Sequence, residues 1–255
     1  MAIFQNLIEK IFNLSALNAF ILFLVMNIGI LLFALILGRI LKSMFDSRTV
    51  IHKNDKGDLK ELILAGSTVL LNALVTLLGW YMWKRHIIVI QDYMNYKVLI
   101  DFIVLFMLMD YLMFMLHWLA HNKFIYKLIH KDHHNYINPK PITLFALNPL
   151  ENLSFGIIWL ILITVYDASW FAIGMYLTVN LLYGIISHSG VEAMPKAMTT
   201  NWLLKYFTTS TFHAHHHSDI NYNFGFYTTI WDRIFRTISP YYKSHFGKEA
   251  PYIVK

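Results

Sequence analysis

The stretch of sequence that decides the fold is a long apolar run ending in clustered histidines. Residues 98–134 read VLIDFIVLFMLMDYLMFMLHWLAHNKFIYKLIHKDHH. Up to Ala120 the run is interrupted only by two acidic residues, Asp101 and Asp110. Because about 20 apolar residues are enough for a helix to cross the hydrocarbon core, the pattern predicts a membrane-spanning helix. The same helix would carry His117 to the membrane surface.

Three further apolar segments extend this prediction to the whole chain. Residues 11–38 and 62–83 contain no charged residue, and residues 152–187 contain one, Asp167. A hairpin tip at Asp167 would divide the last segment into two shorter helices. The composition agrees, since 57% of the 255 residues are hydrophobic and only 14% are charged, against about 25% in soluble domains. We therefore predict an all-α fold: a polytopic membrane helical bundle with four to five spans.

The distribution of Lys and Arg along the chain predicts which loops of this bundle face the cytoplasm. Of the 21 Lys and Arg residues, 17 lie in residues 39–60, in residues 121–151 or after Ser187, and four lie in the alternate segments. Lys and Arg accumulate in cytoplasmic loops, so these three regions are expected to face the cytoplasm. The chain would lie in a bacterial inner membrane or in the endoplasmic reticulum of a eukaryote. A single span over residues 152–187 would instead separate the histidines across the bilayer.

The histidines form four motifs, and the absence of cysteine makes them the main candidate metal ligands. The motifs are HxxxH, HxxHH, a lone histidine before a glycine, and a second HxxHH. Spacings of three and four place side chains on one face of a helix, and neutral imidazole binds iron, copper, nickel or zinc. A single ion of four to six coordination cannot use nine ligands, so two ions are implied. The predicted metal ligands are His117, His121, His130, His133, His134, His188, His213, His216 and His217.

The other histidines are expected to lie off this site. His215 points about 200° around a helix from His213, because each residue turns the helix by about 100°. His86 is assigned to the outer face. His52 and His245 are isolated in cytoplasmic segments and are expected to be solvated.

The arrangement of the four motifs resembles the sterol desaturase and fatty acid hydroxylase superfamily of membrane di-iron enzymes, over about residues 98–237. The segments Asn221–Gly225 and Thr228–Arg233, with Thr237, are similar to the part of the family that follows its last motif. HKDHHNYINPKP, residues 130–141, looks closest to the sterol C5-desaturase branch.

The resemblance implies a helical bundle under a cytosolic cap that holds two iron ions, with O₂ as co-substrate. It implies hydroxylation or desaturation of an unactivated C–H position in a sterol or fatty acyl lipid, and the sequence does not choose between these outcomes. We divide the chain into anchor helices (1–97), a catalytic domain (98–240) and a C-terminal tail (241–255).

Electrons are expected to come from another protein. The chain has no GxGxxG fingerprint for a nicotinamide or flavin and no cysteine for an iron–sulfur cluster. A ferredoxin, or cytochrome b5 with its reductase, is therefore implied. The alternative functions are a metal- or lipid-binding membrane protein without catalysis and a metal transporter. A zinc hydrolase would call for HExxH, and neither HxxHH motif has Glu after its first His.

Two polar residues are candidates for a supporting role around the metals. Asp110 lies inside a span, where an ionisable group indicates function; it could orient a histidine or form an interhelical hydrogen bond. Asn148 stands where the family usually has the histidine of His-Pro-x-Glu. It could contact a metal through water, or it could cap a helix with Pro149 at the first position and Glu151 closing a capping box.

Overall fold

The computed structural model describes residues 2–52 and 58–250. Within these ranges every regular element is a helix and no strand forms, so the predicted all-α fold class is confirmed. Lys53, Lys56 and Lys255, which entered the charge comparison, lie outside the described residues, as does the end of the predicted tail, residues 251–255.

Five apolar helices form the membrane bundle. Four are long and apolar enough to cross a membrane, and a fifth, of 17 residues, is shorter. Asp167 lies in the turn between the last two, as predicted. The long helices are α2 (Ala16–Phe45), α3 (Leu59–Lys84), α4 (Lys97–Ala120) and α8 (Trp170–Ser187), and the shorter one is α7 (Pro149–Val165).

The beginning of the chain differs from the prediction. The uncharged run 11–38 is not one helix, because the chain breaks after α1 (Ala2–Phe12) and α2 starts at Ala16. Ser15 supplies the start signal, since its side chain accepts a hydrogen bond from the Asn18 N–H at 3.2 Å. Helix α2 also continues past Arg39 and Lys42, whose long side chains can reach towards the headgroups.

The bundle helices follow one another around a ring. Helix α2 packs on α3, α3 on α7, α7 on α4, α4 on α8 and α8 on α2. The segment between the second histidine motif and α7 folds inward here, so that Phe145 packs among Ala34, Ala65 and Ile185. Gly38 of α2 permits this approach, because a Cβ there would overlap the ring of Pro141.

A hydrogen-bonded carboxylate ties together the ends of three helices that lie away from the histidine motifs. Asp101, near the start of α4, accepts hydrogen bonds from the Tyr93 hydroxyl (2.6 Å), the Tyr166 hydroxyl (2.9 Å) and the Ser169 N–H (2.8 Å). These partners lie before α4 and in the α7–α8 turn. The contact therefore fixes α4 against the hairpin tip, about 24 Å along the helix from His117 at 1.5 Å per residue.

A cap of short helices covers the other end of the bundle. It contains α5 (Tyr126–Ile129), α6 (Lys131–His134), α9 (Ser210–Ser218), α10 (Ile230–Phe235) and several 3₁₀ turns. Tyr242 and Phe246 pack against Met198 and Phe212. Residues 241–250 are thus part of the packed cap.

Candidate metal centre

Five of the predicted ligands converge where α4 leaves the bundle. One nitrogen of each of these histidines lies within 4.8 Å of the corresponding nitrogen of every other. Helix α4 and the residue that follows it supply two of them, the α5–α6 segment two more and α9 the last. This five-histidine group consists of His117, His121, His130, His134 and His216.

The remaining four predicted ligands form a second group beside the first. They come from α6, from the residue after α8 and from α9, and their nitrogens also lie within 4.8 Å of one another. Consecutive histidines of α6 and α9 enter different groups, since neighbouring residues on a helix are about 100° apart. This four-histidine group consists of His133, His188, His213 and His217.

Four histidines are oriented through their Nδ1 atoms, which donate to fixed oxygen acceptors. In the five-histidine group His117 donates to the Phe224 carbonyl (2.8 Å), His130 to a Glu151 carboxylate oxygen (2.7 Å) and His216 to the Tyr222 carbonyl (2.7 Å). In the four-histidine group His188 donates to the Gly184 carbonyl (3.0 Å). A carbonyl or carboxylate can only accept, so these bonds place the proton on Nδ1 and leave Nε2 as a lone pair.

The Nε2 atoms then face one another at a distance that suits a shared cation. The Nε2 atoms of His117 and His130 are 3.1 Å apart, and each ring already has its proton on Nδ1. Two lone pairs this close repel in a buried site, and a positive ion between them removes the repulsion. Two nitrogens bound at a right angle to one metal, with bonds of about 2.1 Å, would be about 3.0 Å apart. The donor set therefore fits a metal ion.

The same spacing recurs in both groups. The Nε2 atoms of His121 and His216 are 3.1 Å apart, and those of His188 and His213 are 3.1 Å apart. Among the residues that the structure describes, several buried nitrogens of these rings also lack a hydrogen-bond partner: Nδ1 of His121, His133, His134 and His217.

Burial keeps the imidazoles in the form that binds metal. It lowers the pKa of His188 to about 4 and the pKa of His216 to about 3. Burial, reinforced by repulsion between neighbouring imidazoles, also lowers the pKa of His121, His133, His134, His213 and His217 below the usual histidine value. These rings are therefore neutral at pH 7, as metal ligation requires.

Glu151 is a site residue that the sequence did not reveal. Its expected role in a capping box is wrong, because its carboxylate bonds the buried His130 ring instead. Asn148 is the helix cap: its side-chain amide oxygen accepts from the Leu150 N–H at 3.0 Å, which confirms the capping interpretation. Its amide also donates to Asp132, which lies between two predicted ligands.

Asp110 does not bond a histidine in the described part of the chain. Its carboxylate accepts from the N–H groups of Tyr227 (3.1 Å) and Thr228 (3.0 Å) and from the Trp231 indole (2.9 Å). Asp110 was expected either to orient a histidine or to form an interhelical hydrogen bond. The structure contains hydrogen bonds to another part of the chain, including one to Trp231 of α10.

The remaining histidines lie outside both groups. His215 is buried beside Ser239 and the ring of His245, away from the other α9 histidines, as predicted. His86 is exposed after the other end of α3. His52 was expected to be solvated but pairs with Glu249 at 2.9 Å.

The fold and the site together define a multi-pass membrane protein with a buried centre suited to two metal ions. The profile of the fatty acid hydroxylase family matches residues 102–237, and the chain belongs to this family, as the histidine motifs indicated. No solved structure matches the chain.

The curated relatives that the chain resembles are sterol-modifying enzymes by name. The chain is 31% identical over 132 residues to Methylsterol monooxygenase 1 of Danio rerio, covering 52% of this chain and 44% of the relative. It is 29% identical to Delta(7)-sterol 5(6)-desaturase of Leptosphaeria maculans (49% and 33% covered) and 31% identical to Lathosterol oxidase of Mus musculus (49% and 40% covered). The match thus spans less than half the length of each of these relatives.

Proposed function

We propose that this chain is an O₂-dependent di-iron oxidoreductase that hydroxylates or desaturates an unactivated C–H position of a membrane lipid, either a sterol or a fatty acyl lipid. The observation that carries the proposal is the convergence of nine imidazoles, most of them buried, in two adjacent groups, with Nε2 lone pairs facing one another. Membership of the fatty acid hydroxylase family and the names of the relatives support the same reaction class.

The all-histidine donor set is compatible with iron, and Glu151 completes a carboxylate–histidine pair of the kind that raises ligand basicity. When bound, two irons would supply the capacity to activate O₂ and remove hydrogen from a C–H bond, which no side chain can do unaided. The residues of the chain have other tasks. They hold the metals, orient the rings and exclude water.

Aromatic side chains lie next to the five-histidine group, around His117. The His117 ring lies 5.1 Å from the ring of Phe226 and 5.9 Å from that of Phe224. Phe226 in turn contacts Phe155 of α7 at 5.5 Å. This lining keeps the site poor in water. Because His117 lies in the last turn of α4, a lipid could reach the site from the bilayer without crossing water.

We also propose the surroundings in which this reaction takes place. The histidine cap faces the cytoplasm, where a ferredoxin or cytochrome b5 with its reductase delivers electrons. The membrane is the inner membrane of a bacterium or the endoplasmic reticulum of a eukaryote. Residues 1–97 serve as the anchor, residues 98–240 as the catalytic domain and residues 241–255 as its tail.

Lipid analysis with isotopically labelled oxygen tests the reaction class. Membranes from cells that express the chain are incubated with ¹⁸O₂, and the extracted lipids are compared by mass spectrometry with those from cells expressing His117→Ala. We expect a lipid that has gained one ¹⁸O atom or lost two hydrogens, in the wild-type sample alone. Identical lipid profiles in a sterol- and acyl-lipid-containing host would contradict the proposed function.

A further inference from the structure

A segment of backbone leads from α9 back to the end of α4 and is held there by a buried carboxylate of α4. This segment is Tyr222–Thr228. Asp110 accepts hydrogen bonds from the N–H groups of Tyr227 and Thr228 and from the Thr228 hydroxyl. The Asp110 side chain is fully buried, so no water competes for these bonds.

A second buried carboxylate holds the other half of the segment. Asp232, in α10, accepts from the N–H groups of Phe224 and Gly225, each at 2.8 Å, and from the Thr237 hydroxyl at 2.7 Å. It is also fully buried. The backbone approaches its neighbours closely at Gly225, because a Cβ at this position would lie 2.8 Å from an Asp232 oxygen and overlap the Thr228 carbonyl.

The segment between these carboxylates carries two of the oxygen atoms that orient histidines. The Tyr222 carbonyl accepts from Nδ1 of His216, and the Phe224 carbonyl accepts from Nδ1 of His117. Both histidines belong to the five-histidine group. In the four-histidine group, His188 donates from Nδ1 to the Gly184 carbonyl. Gly184 belongs to α8 and not to the Tyr222–Thr228 segment.

We propose that Asp110 and Asp232 are positioning residues that hold the Tyr222–Thr228 segment so that it orients His117 and His216. The inference rests on the metal content of the proposed function. Its consequence is selective: loss of either carboxylate should weaken metal binding by the five-histidine group and leave the four-histidine group intact. Changes to groups that support metal ligands typically cost about 10- to 100-fold in affinity.

Asparagine is an informative replacement at both positions because it keeps the size of the side chain. One Asp232 oxygen accepts from Phe224 and Thr237, and the other accepts from Gly225. Whichever oxygen becomes an NH₂ group would face an N–H donor. Asp232→Asn therefore loses at least one bond and gains a donor–donor repulsion.

Asp101→Asn is the matched control. Asp101 is a buried carboxylate of the same helix as Asp110 and accepts three hydrogen bonds, as Asp232 does, but these bonds fix the ends of the helices that lie away from the histidines. This variant is expected to lower the melting temperature without changing the metal content. A general effect of removing a buried charge would show in the control as well.

The experiment measures iron per chain by mass spectrometry in detergent-purified, iron-loaded protein after exposure to a chelator. We expect two irons in the wild type and in Asp101→Asn, and one in Asp232→Asn and in Asp110→Asn. Combining Asp232→Asn with His188→Ala should remove nearly all iron. Combining it with His117→Ala should leave one iron, because both changes then affect the same group.

Two irons in both aspartate variants would overturn the inference, and so would loss of both irons from a variant that elutes as folded protein. If Asp232→Asn does not fold, Thr237→Val removes one donor to Asp232 and should release one of the two irons faster than the wild type does. Unchanged release of both irons from Thr237→Val would then overturn the inference. A wild-type chain that binds no iron would instead contradict the proposed function itself.

Discussion

At the scale of single residues, four of the nine imidazoles are oriented because an oxygen atom accepts the proton of Nδ1, which leaves Nε2 to face the neighbouring rings. Glu151 shows how this works. Its carboxylate bonds Nδ1 of His130 inside the protein, and the Nε2 atom of His130 then lies 3.0–3.1 Å from those of His117 and His134. Both partners of the carboxylate bond are almost fully buried, so solvent does not weaken it.

Glu151→Ala should therefore lower metal affinity by about 10- to 100-fold, because His130 loses the acceptor that fixes its ring. Glu151→Gln is the control, since its amide oxygen can still accept the Nδ1 proton and the loss should be smaller. Competition with a chelator of known affinity measures both. Equal affinities for the wild type and Glu151→Ala would show that the carboxylate does not support the site.

Replacing any of the nine grouped histidines by Ala should reduce lipid turnover at least tenfold, since even supporting residues typically cost that much. His215→Ala and His86→Ala should be much milder, because His215 faces Ser239 and His86 is exposed at the other end of α3. Product formation per chain is the measurement. Near-normal turnover in two or more of the nine variants would contradict the nine-ligand assignment.

The spacing of the histidines was sufficient to nominate eight of the nine residues, because ligands on one helix repeat every three or four positions. The ninth, His188, was nominated by its place at the end of a predicted span, before a glycine. Their partners could not be found this way. Glu151 lies in the helix after His130, and the Tyr222 and Phe224 carbonyls come from backbone far from His117 in sequence. Such contacts depend on tertiary packing, which leaves no local pattern in the chain.

At the scale of the helices, close approach at small residues decides how the cap meets the bundle. The segment that joins the second histidine motif to α7 enters between α2, α3 and α8, and Pro141 lies against Gly38. The buried Glu61 of α3 holds the same segment through the Thr143 hydroxyl (2.9 Å) and the Lys140 ammonium (3.0 Å). The position of the second motif thus depends on the packing of α2.

Gly38→Ala should destabilise the protein by about 1–3 kcal/mol, the usual cost of overpacking a core, because its Cβ would overlap Pro141. Gly29→Ala in the same helix meets nothing within 4 Å and should be neutral or slightly stabilising. Thermal unfolding in detergent compares the two variants. A melting temperature for Gly38→Ala equal to that of Gly29→Ala would show that the approach is not tight.

The lengths of the apolar segments predicted the bundle helices, and the single charged residue in residues 152–187, Asp167, located the hairpin turn. Helix α1 and the break before Ala16 were missed, because no charged residue separates them from the apolar run that follows. The cap at Ser15 was the available signal. Regions of mixed polarity, such as the cap around α9 and α10, carry no periodic pattern that specifies their packing.

At the scale of the whole molecule, the order of the helices around the ring could not be predicted, because the apolar spans are equivalent in composition. What the sequence supplied was a prediction of the side of the membrane that each loop faces. Because 17 of the 21 positive residues fall in the segments predicted to face the cytoplasm, a C-terminal reporter that is active only after export should remain inactive. An active reporter would reverse the predicted orientation.

The central claim is that the two histidine groups hold two irons. Elemental analysis of the purified wild-type chain, made with iron and zinc both available, tests it most directly. We predict two irons per chain and little zinc, with one iron lost in His117→Ala and one in His188→Ala, because these residues belong to different groups. Zinc alone, or no metal at all in the folded wild-type protein, would contradict the claim.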